Sequence, residues 1–308
     1  MNRVDIAFAS GSDTCGAWFY PAQGSAAGAR SPAVAMAHGL GAVKEMYLAP
    51  FADALSAAGI AVLLFDYRYY GSSGGEPRNQ VVPRDQMEDY RNALTWLSLH
   101  DQIDPQRLGI WGTSFSGGHV LHIAAYDARV KAVVSQVAAV DLYANAKRVT
   151  PVDAFAELWQ TAAADRSRRY QGGPVVCMPN AAPAGAGPAL QIDNETYAWL
   201  TEAQSTVAPS WQNKVTVDSI ERILEHAPGL SIDRISPKPL LMILATEDRW
   251  TPPDLIREAF GRAGEPKRLL EIAGGHYAVY SGEGQVVAAE AAVAWFTRHL
   301  NESEALAA

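Results

Sequence analysis

Ser114 is surrounded by almost no side-chain bulk. In the stretch IWGTSFSGGH, residues 110–119, Gly112 precedes it and Ser116, Gly117 and Gly118 follow. A serine displayed on a sharp strand-to-helix turn needs small residues two before and two after, because the turn brings those positions together. The apolar run RLGIW before it and FSGGHVLHIAAY after it supply a strand and a helix. Ser116 stands where the strict pattern has glycine, and it is still small. The bland alternative is a turn that uses glycine for geometry alone. The chemical reading is a nucleophile, and a hydroxyl is a weak one. It needs a base to take its proton and an acid to orient that base.

Chains built around such a turn place the acid and then the histidine after the serine. Of seven histidines, His276 in EIAGGHYAVY follows the turn and sits at a late strand end, behind two glycines. His226 falls in an irregular stretch, and His299 in the closing helix. His119 and His122 lie along the helix behind Ser114 and read as packing residues; as a metal pair they have no carboxylate or cysteine complement. Asp248 in LLMILATEDRWTPP is the preferred acid. Asp141, which could simply cap the next element, is the runner-up, and Glu247 is adjacent. Charge developing on a substrate oxygen needs fixed N–H donors. Phe115, next after the serine, is one expected donor. Leu40 in the loop His38-Gly39-Leu40-Gly41 is the other, with Gly39 and Gly41 close behind.

These residues must be carried to one place, and the chain alternates strand-like with helix-like segments. Residues 4–9 and 17–20 read as an opening strand pair, then 33–37 as a buried strand. Apolar residues recur at helical spacing over 46–58, ended by Gly59. Continuous apolar runs at 60–65 and 130–137 mark strands covered on both faces. A helix over 84–99, a strand over 107–111 and a helix over 116–126 lie between them. After a break the rhythm resumes with a strand at 239–245, a helix at 252–262, a strand at 267–272 and a helix at 285–300. This pattern predicts an α/β fold: a mostly parallel sheet flanked by helices, with right-handed crossovers. His38, Asp66, Ser114, Asp141, Asp248 and His276 all fall at carboxyl ends of strands, where such sheets bind ligands.

The break, residues 141–235, reads as a mainly helical cap or lid inserted into a core of residues 1–140 and 236–308. It carries Trp159, Trp199 and Trp211, with Trp250 at its margin. These aromatics either line an apolar substrate pocket or form the lid's own small core. Its DRSRRY segment, residues 165–170, either recognises an anion or is a solvated helix face. Asp66 and Arg68 in FDYRYYGSSGGEPR read as a structural network, since the glycine-rich loop lacks the Walker pattern.

The 308 residues have a net charge of −8, which argues against nucleic acid and anionic membranes as partners. Two cysteines, Cys15 and Cys177, suggest a reducing compartment, though they could pair. The N-terminus lacks a signal-peptide core and no apolar run has the length of a membrane span. A cytoplasmic protein is expected, with a small-molecule partner and a homodimer left open.

The blocks AHGLGAVKEMYLAPFADALSAAGIAVLLFDYRYYGSSGGEPR, GIWGTSFSGGH, PKPLLMILATEDRWTPP and EPKRLLEIAGGHYAVYSG resemble the α/β-hydrolases. The likeness is to the dienelactone-hydrolase and Xaa-Pro-peptidase-like branch and to the polyketide transferases. It implies an α/β-hydrolase fold, Ser114 as nucleophile, Asp248 as acid, His276 as base, and the backbones of Leu40 and Phe115 as oxyanion hole. Relatives often carry Phe and Asp soon after the histidine, where this chain has Tyr277 and Ala278, so Tyr277 joins the expected substrate contacts. The implied activity is hydrolysis of an ester or thioester through an acyl-enzyme, with no metal and no cofactor. Acyl transfer or C–C bond hydrolysis by the same residues is the alternative, and a non-catalytic binder the third.

Overall fold

A computed structural model describes residues 3–24 and 28–301. Two strands, β1 (Val4–Ser10) and β2 (Asp13–Tyr20), form an antiparallel hairpin. Six more follow: β3 (Ser31–Ala37), β4 (Ala61–Phe65), β5 (Ile103–Thr113), β6 (Val130–Gln136), β7 (Leu240–Ala245) and β8 (Lys267–Ile272). They build one eight-stranded sheet in the order β1-β2-β4-β3-β5-β6-β7-β8. Strand β2 runs antiparallel to β4, and every pairing from β4 to β8 is parallel.

The uninterrupted apolar strands are explained by cover on both faces. In β3, Ala33, Ala35 and Ala37 join one apolar cluster while Val34 and Met36 join the other. The first cluster packs helices α2 (Pro83–Leu99), α3 (Phe115–Tyr126) and α8 (Pro253–Arg262). The second packs α1 (Ala49–Ala57) and α9 (Gly282–Asn301). Alternation along each strand thus feeds both faces with apolar side chains.

Among the boundaries that differ from those the apolar spacing predicts, two have a local cause. Helix α1 starts at Ala49 rather than 46, because Tyr47 adopts φ 59°, a left-handed conformation that a helix cannot contain, and Pro50 then opens the first turn. Strand β5 starts at Ile103 rather than 107: its register against β3 shifts between the Ser31–Ile103 and Ala33–Leu108 pairs, so only the later part shows regular apolar patterning.

Between β6 and β7 the chain forms α4 (Leu142–Val149), α5 (Val152–Tyr170), α6 (Asn194–Thr206) and α7 (Ser219–Leu224), with two ladders of two-residue strands. Asp141 caps α4 by accepting from Ala144 N–H at 2.9 Å. Further on, Ile232 and Ile235 pack into the core beneath the sheet. No helix among the described residues is long and apolar enough to cross a membrane. Cys15 is buried, Cys177 is exposed, and both are free thiols.

Candidate active site

Ser114 joins β5 to α3 with φ 57° and ψ −117°. Such a non-glycine conformation costs on the order of 1–3 kcal/mol and persists where its surroundings fix it. Here Ser114 N–H donates to Gln136 O at 2.9 Å on β6, and Ser114 O accepts from Ala139 N–H at 3.0 Å. Gly112 must lack a side chain, since a Cβ there would lie 2.2 Å from the Ser116 carbonyl. The departure at Ser116 has its own use. Its hydroxyl accepts from Thr113 N–H at 2.9 Å and donates to Ala37 O at 2.8 Å, tying the turn to β3.

His276 begins a 3₁₀ turn, residues 276–280, after β8. Its Nε2 lies 3.1 Å from Ser114 Oγ, and its Nδ1 lies 2.7 Å from Asp248 Oδ2. Tyr280 pins the turn to the end of β5, with its hydroxyl 2.5 Å from Thr113 Oγ1. Asp248 Oδ1 accepts from the N–H groups of Trp250 and Thr251 at 2.8 and 2.9 Å, and Oδ2 accepts from Thr251 Oγ1 at 2.6 Å. Burial opposes ionisation of this carboxyl, but His276 and these donors outweigh it and hold the pKa below the usual aspartate value. A hydroxyl, an imidazole and a carboxylate in this series can pass a proton from oxygen to nitrogen while the ring charge is stabilised.

The loop after β3 runs alongside. A Cβ on Gly39 would sit 3.1 Å from that of Ser114. The Gly39 carbonyl accepts from Ala42 N–H at 3.3 Å and from His38 Nδ1 at 2.9 Å. Burial keeps His38 neutral by lowering its pKa. Asp66 holds the far end, accepting from Lys44 N–H and Nζ, both at 2.7 Å. Phe115 opens α3, so its N–H has no acceptor within the helix. Leu40 N–H makes no hydrogen bond among the described residues.

The sequence pattern of the alpha/beta hydrolase fold family matches residues 32–283. The chain belongs to the α/β-hydrolase family. Similar relatives include the quorum-quenching protein AidA of Acinetobacter baumannii, 32% identical over 91% of this chain and 90% of that protein. A thiohydrolase of Eupenicillium brefeldianum is 30% identical over 89% of this chain and 86% of its own. The crystal structure of the α/β hydrolase GrgF from Penicillium sp. sh18 superposes with a TM-score of 0.82, covering 98% of this chain and all of that one at 24% identity.

In this α/β hydrolase, Ser114 and His276 line two clefts that also share Leu40 and Gln191. One, about 700 Å³ including space open to solvent, runs under α4, α5 and α7 and is walled by Leu142, Val149, Leu158, Leu190, Ile223 and Trp250. The other is lined by Trp199, Tyr277 and Tyr280. Of the expected aromatic contacts, Trp250, Trp199 and Tyr277 therefore reach the site. Tyr277 stacks on Trp199 with ring centroids 4.7 Å apart and donates to Thr196 Oγ1 at 3.0 Å.

Trp159 and Trp211 line neither cleft, which corrects the expectation for them. On α5 it is Leu158 that turns inward, leaving its neighbour Trp159 partly exposed against Phe155. Trp211 is buried and donates from Nε1 to Gly41 O at 2.7 Å, so it braces the β3 loop. The DRSRRY charges are paired structurally: Arg166 binds Glu221 in a fork, and Arg168 and Arg169 bind Asp165. Arg68 belongs to a separate network, donating to Asp89 Oδ1 at 2.6 Å.

His119 leads away from His122 and from metal chemistry. Its Nδ1 lies 2.9 Å from His226 Nε2 and its Nε2 lies 2.9 Å from Gln86 Oε1. Burial drives both imidazoles down, His119 well below the ordinary value and His226 to about 3. Groups that protonate near pH 6.5 when unfolded but resist protonation when folded favour the unfolded chain in acid. Stability is therefore expected to fall as pH drops from about 6.5 toward 3, by roughly 2–3 kcal/mol from His226 alone at pH 4.5. Thermal melts at pH 7 and 4.5 check this, and His226→Asn should shrink the difference.

Proposed function

We propose that this α/β hydrolase cleaves an ester or thioester by covalent acyl transfer through Ser114. The carrying observation is the unbroken hydrogen-bonded series from Ser114 Oγ through both nitrogens of His276 to Asp248 Oδ2. As Ser114 Oγ bonds to the substrate carbonyl carbon, its proton passes to His276 Nε2. Asp248 fixes the ring tautomer and balances the imidazolium. The N–H groups of Leu40 and Phe115 receive the carbonyl oxygen as it becomes anionic. Collapse breaks the bond to the leaving thiol or alcohol, which takes the proton from His276. Water then gives a proton to His276 and attacks the acyl carbon, and the bond to Ser114 Oγ breaks as Oγ takes that proton back, which releases the acid and restores the serine. Of residues 141–235, the part through α7 acts as a cap over the core of 1–140 and 236–308, which Ile232 and Ile235 join, and supplies most of the apolar wall against the acyl chain. The likeness to a thiohydrolase supports thioesters within this class.

Incubation with an acyl N-acetylcysteamine thioester, quenched early, is expected to leave the acyl group on the peptide containing Ser114 and to release free acid. An ester in place of the acid when alcohol is added would mark a transferase. A folded protein that neither takes up the acyl group nor reacts at Ser114 with a fluorophosphonate would overturn the reading in favour of a binder.

A further inference from the structure

The cleft under α4 is apolar except at a few points, and one of these is unexplained. Asn145 is buried on α4 and lines the cleft together with Ser114, His276, Leu40 and Phe115. Its Nδ2 donates to Trp250 O at 3.1 Å. A backbone carbonyl can only accept, so the amide nitrogen must face it and the orientation of the side chain is decided. Oδ1 is thereby turned away from Trp250, and it is buried with no partner among the described residues. Buried amide oxygens in folded proteins almost always find a donor, because leaving one unpaired is strongly unfavourable. On α4 its neighbours along the cleft are Leu142, Ala146 and Val149, none of which offers a side-chain donor.

The position of this oxygen is tied to the reacting groups. The residue that Asn145 holds, Trp250, donates its own N–H to Asp248 Oδ1 at 2.8 Å, and Asp248 contacts His276. Because Asn145 lines the same cleft as Ser114, His276, Leu40 and Phe115, a donor carried on the acyl group can meet Oδ1 while the carbonyl is held at Ser114. We propose that Asn145 determines specificity by accepting a hydrogen bond from a hydroxyl or N–H carried on the acyl group close to its carbonyl. This rests on the acyl-enzyme reading above and narrows its substrate class. An acyl group without the donor would strand the oxygen on binding, and that penalty is the basis of selection.

The experiment compares p-nitrophenyl octanoates carrying a hydroxyl at C2 or C3 with their methoxy counterparts and with the unsubstituted ester. Methoxy keeps the bulk and the acceptor but removes the donor. The wild-type protein is expected to favour one hydroxy ester over its methoxy partner by about tenfold or more in kcat/KM. Asn145→Leu and Asn145→Ala should bring that ratio close to one. A purely structural role, acting through Trp250, would lower all rates together and leave the ratio unchanged. Equal wild-type rates for hydroxy and methoxy esters at both positions, or a ratio that survives both substitutions, would overturn this inference while leaving the acyl-enzyme reading intact. Turnover of none of the esters by folded wild type would overturn both.

Discussion

Ser114→Ala is expected to lower kcat for ester or thioester cleavage by about 10⁴-fold or more, with the fold intact. The effect is large because the hydroxyl is the sole group in the site whose removal deletes the bond-forming step. The Leu40 and Phe115 N–H groups, the proposed oxyanion donors, remain, and any residual rate is expected to come from them. Stability should change little, within about 0.5 kcal/mol, because the Ser114 side chain makes one hydrogen bond, to His276, while its unusual backbone is held by Gln136 and Ala139. Alanine keeps the Cβ and inherits the same backbone. Steady-state kinetics paired with a thermal melt therefore separates lost chemistry from lost folding. A variant that retains a tenth of wild-type activity would remove Ser114 from the mechanism.

The elements that carry this site were legible because their signals are local. Alternating burial along a strand covered on both faces leaves an apolar run, and small residues around Ser114 are demanded by a turn whose Cβ clashes can be read off Gly112. His276 and Asp248 followed from chain order and strand ends. What sequence could not supply is what holds these groups in register. Tyr280 reaches back to Thr113, and Thr196 accepts from both Trp250 Nε1 at 2.7 Å and the Tyr277 hydroxyl. These pairings join residues far apart in the chain, and no spacing rule encodes them. The helices between β6 and β7 were harder for a related reason. Their inward faces are set by packing on one another, α5 on α4 and α7, so Leu158 rather than Trp159 lines the cleft, while Trp211 braces Gly41. Bulk and aromaticity marked those tryptophans as notable without saying which way they faced.

Asp248→Asn tests the other half of the series and should cost about 10⁴-fold in kcat, comparable with the same change in the trypsin triad. Four donors converge on the carboxylate: the N–H groups of Trp250 and Thr251, the Thr251 hydroxyl, and His276 Nδ1. An amide offers one oxygen and one NH₂. If the oxygen serves the two backbone N–H groups, the NH₂ faces His276 and selects the tautomer with Nδ1 bare and Nε2 protonated. That ring cannot take a proton from Ser114. If the amide turns the other way, its NH₂ opposes the two backbone donors and the loop bearing Trp250 is displaced. The first arrangement, which keeps the backbone donors paired, removes the base while leaving the clefts, so kcat should fall much more than KM rises. A stability signature accompanies it. The pKa of Asp248 is depressed when folded, so its carboxylate adds stability that is fully present above the unfolded value near 3.8 and is lost as pH falls through the lower folded value. The gap in melting temperature between wild type and Asp248→Asn should therefore be widest at neutral pH and narrow below about pH 3.8, whatever acid does to His119 and His226 in both proteins. A kcat within tenfold of wild type would show that His276 is oriented without this carboxylate. Asp141, already committed to Ala144 N–H at the start of α4, would not be the group that replaces it.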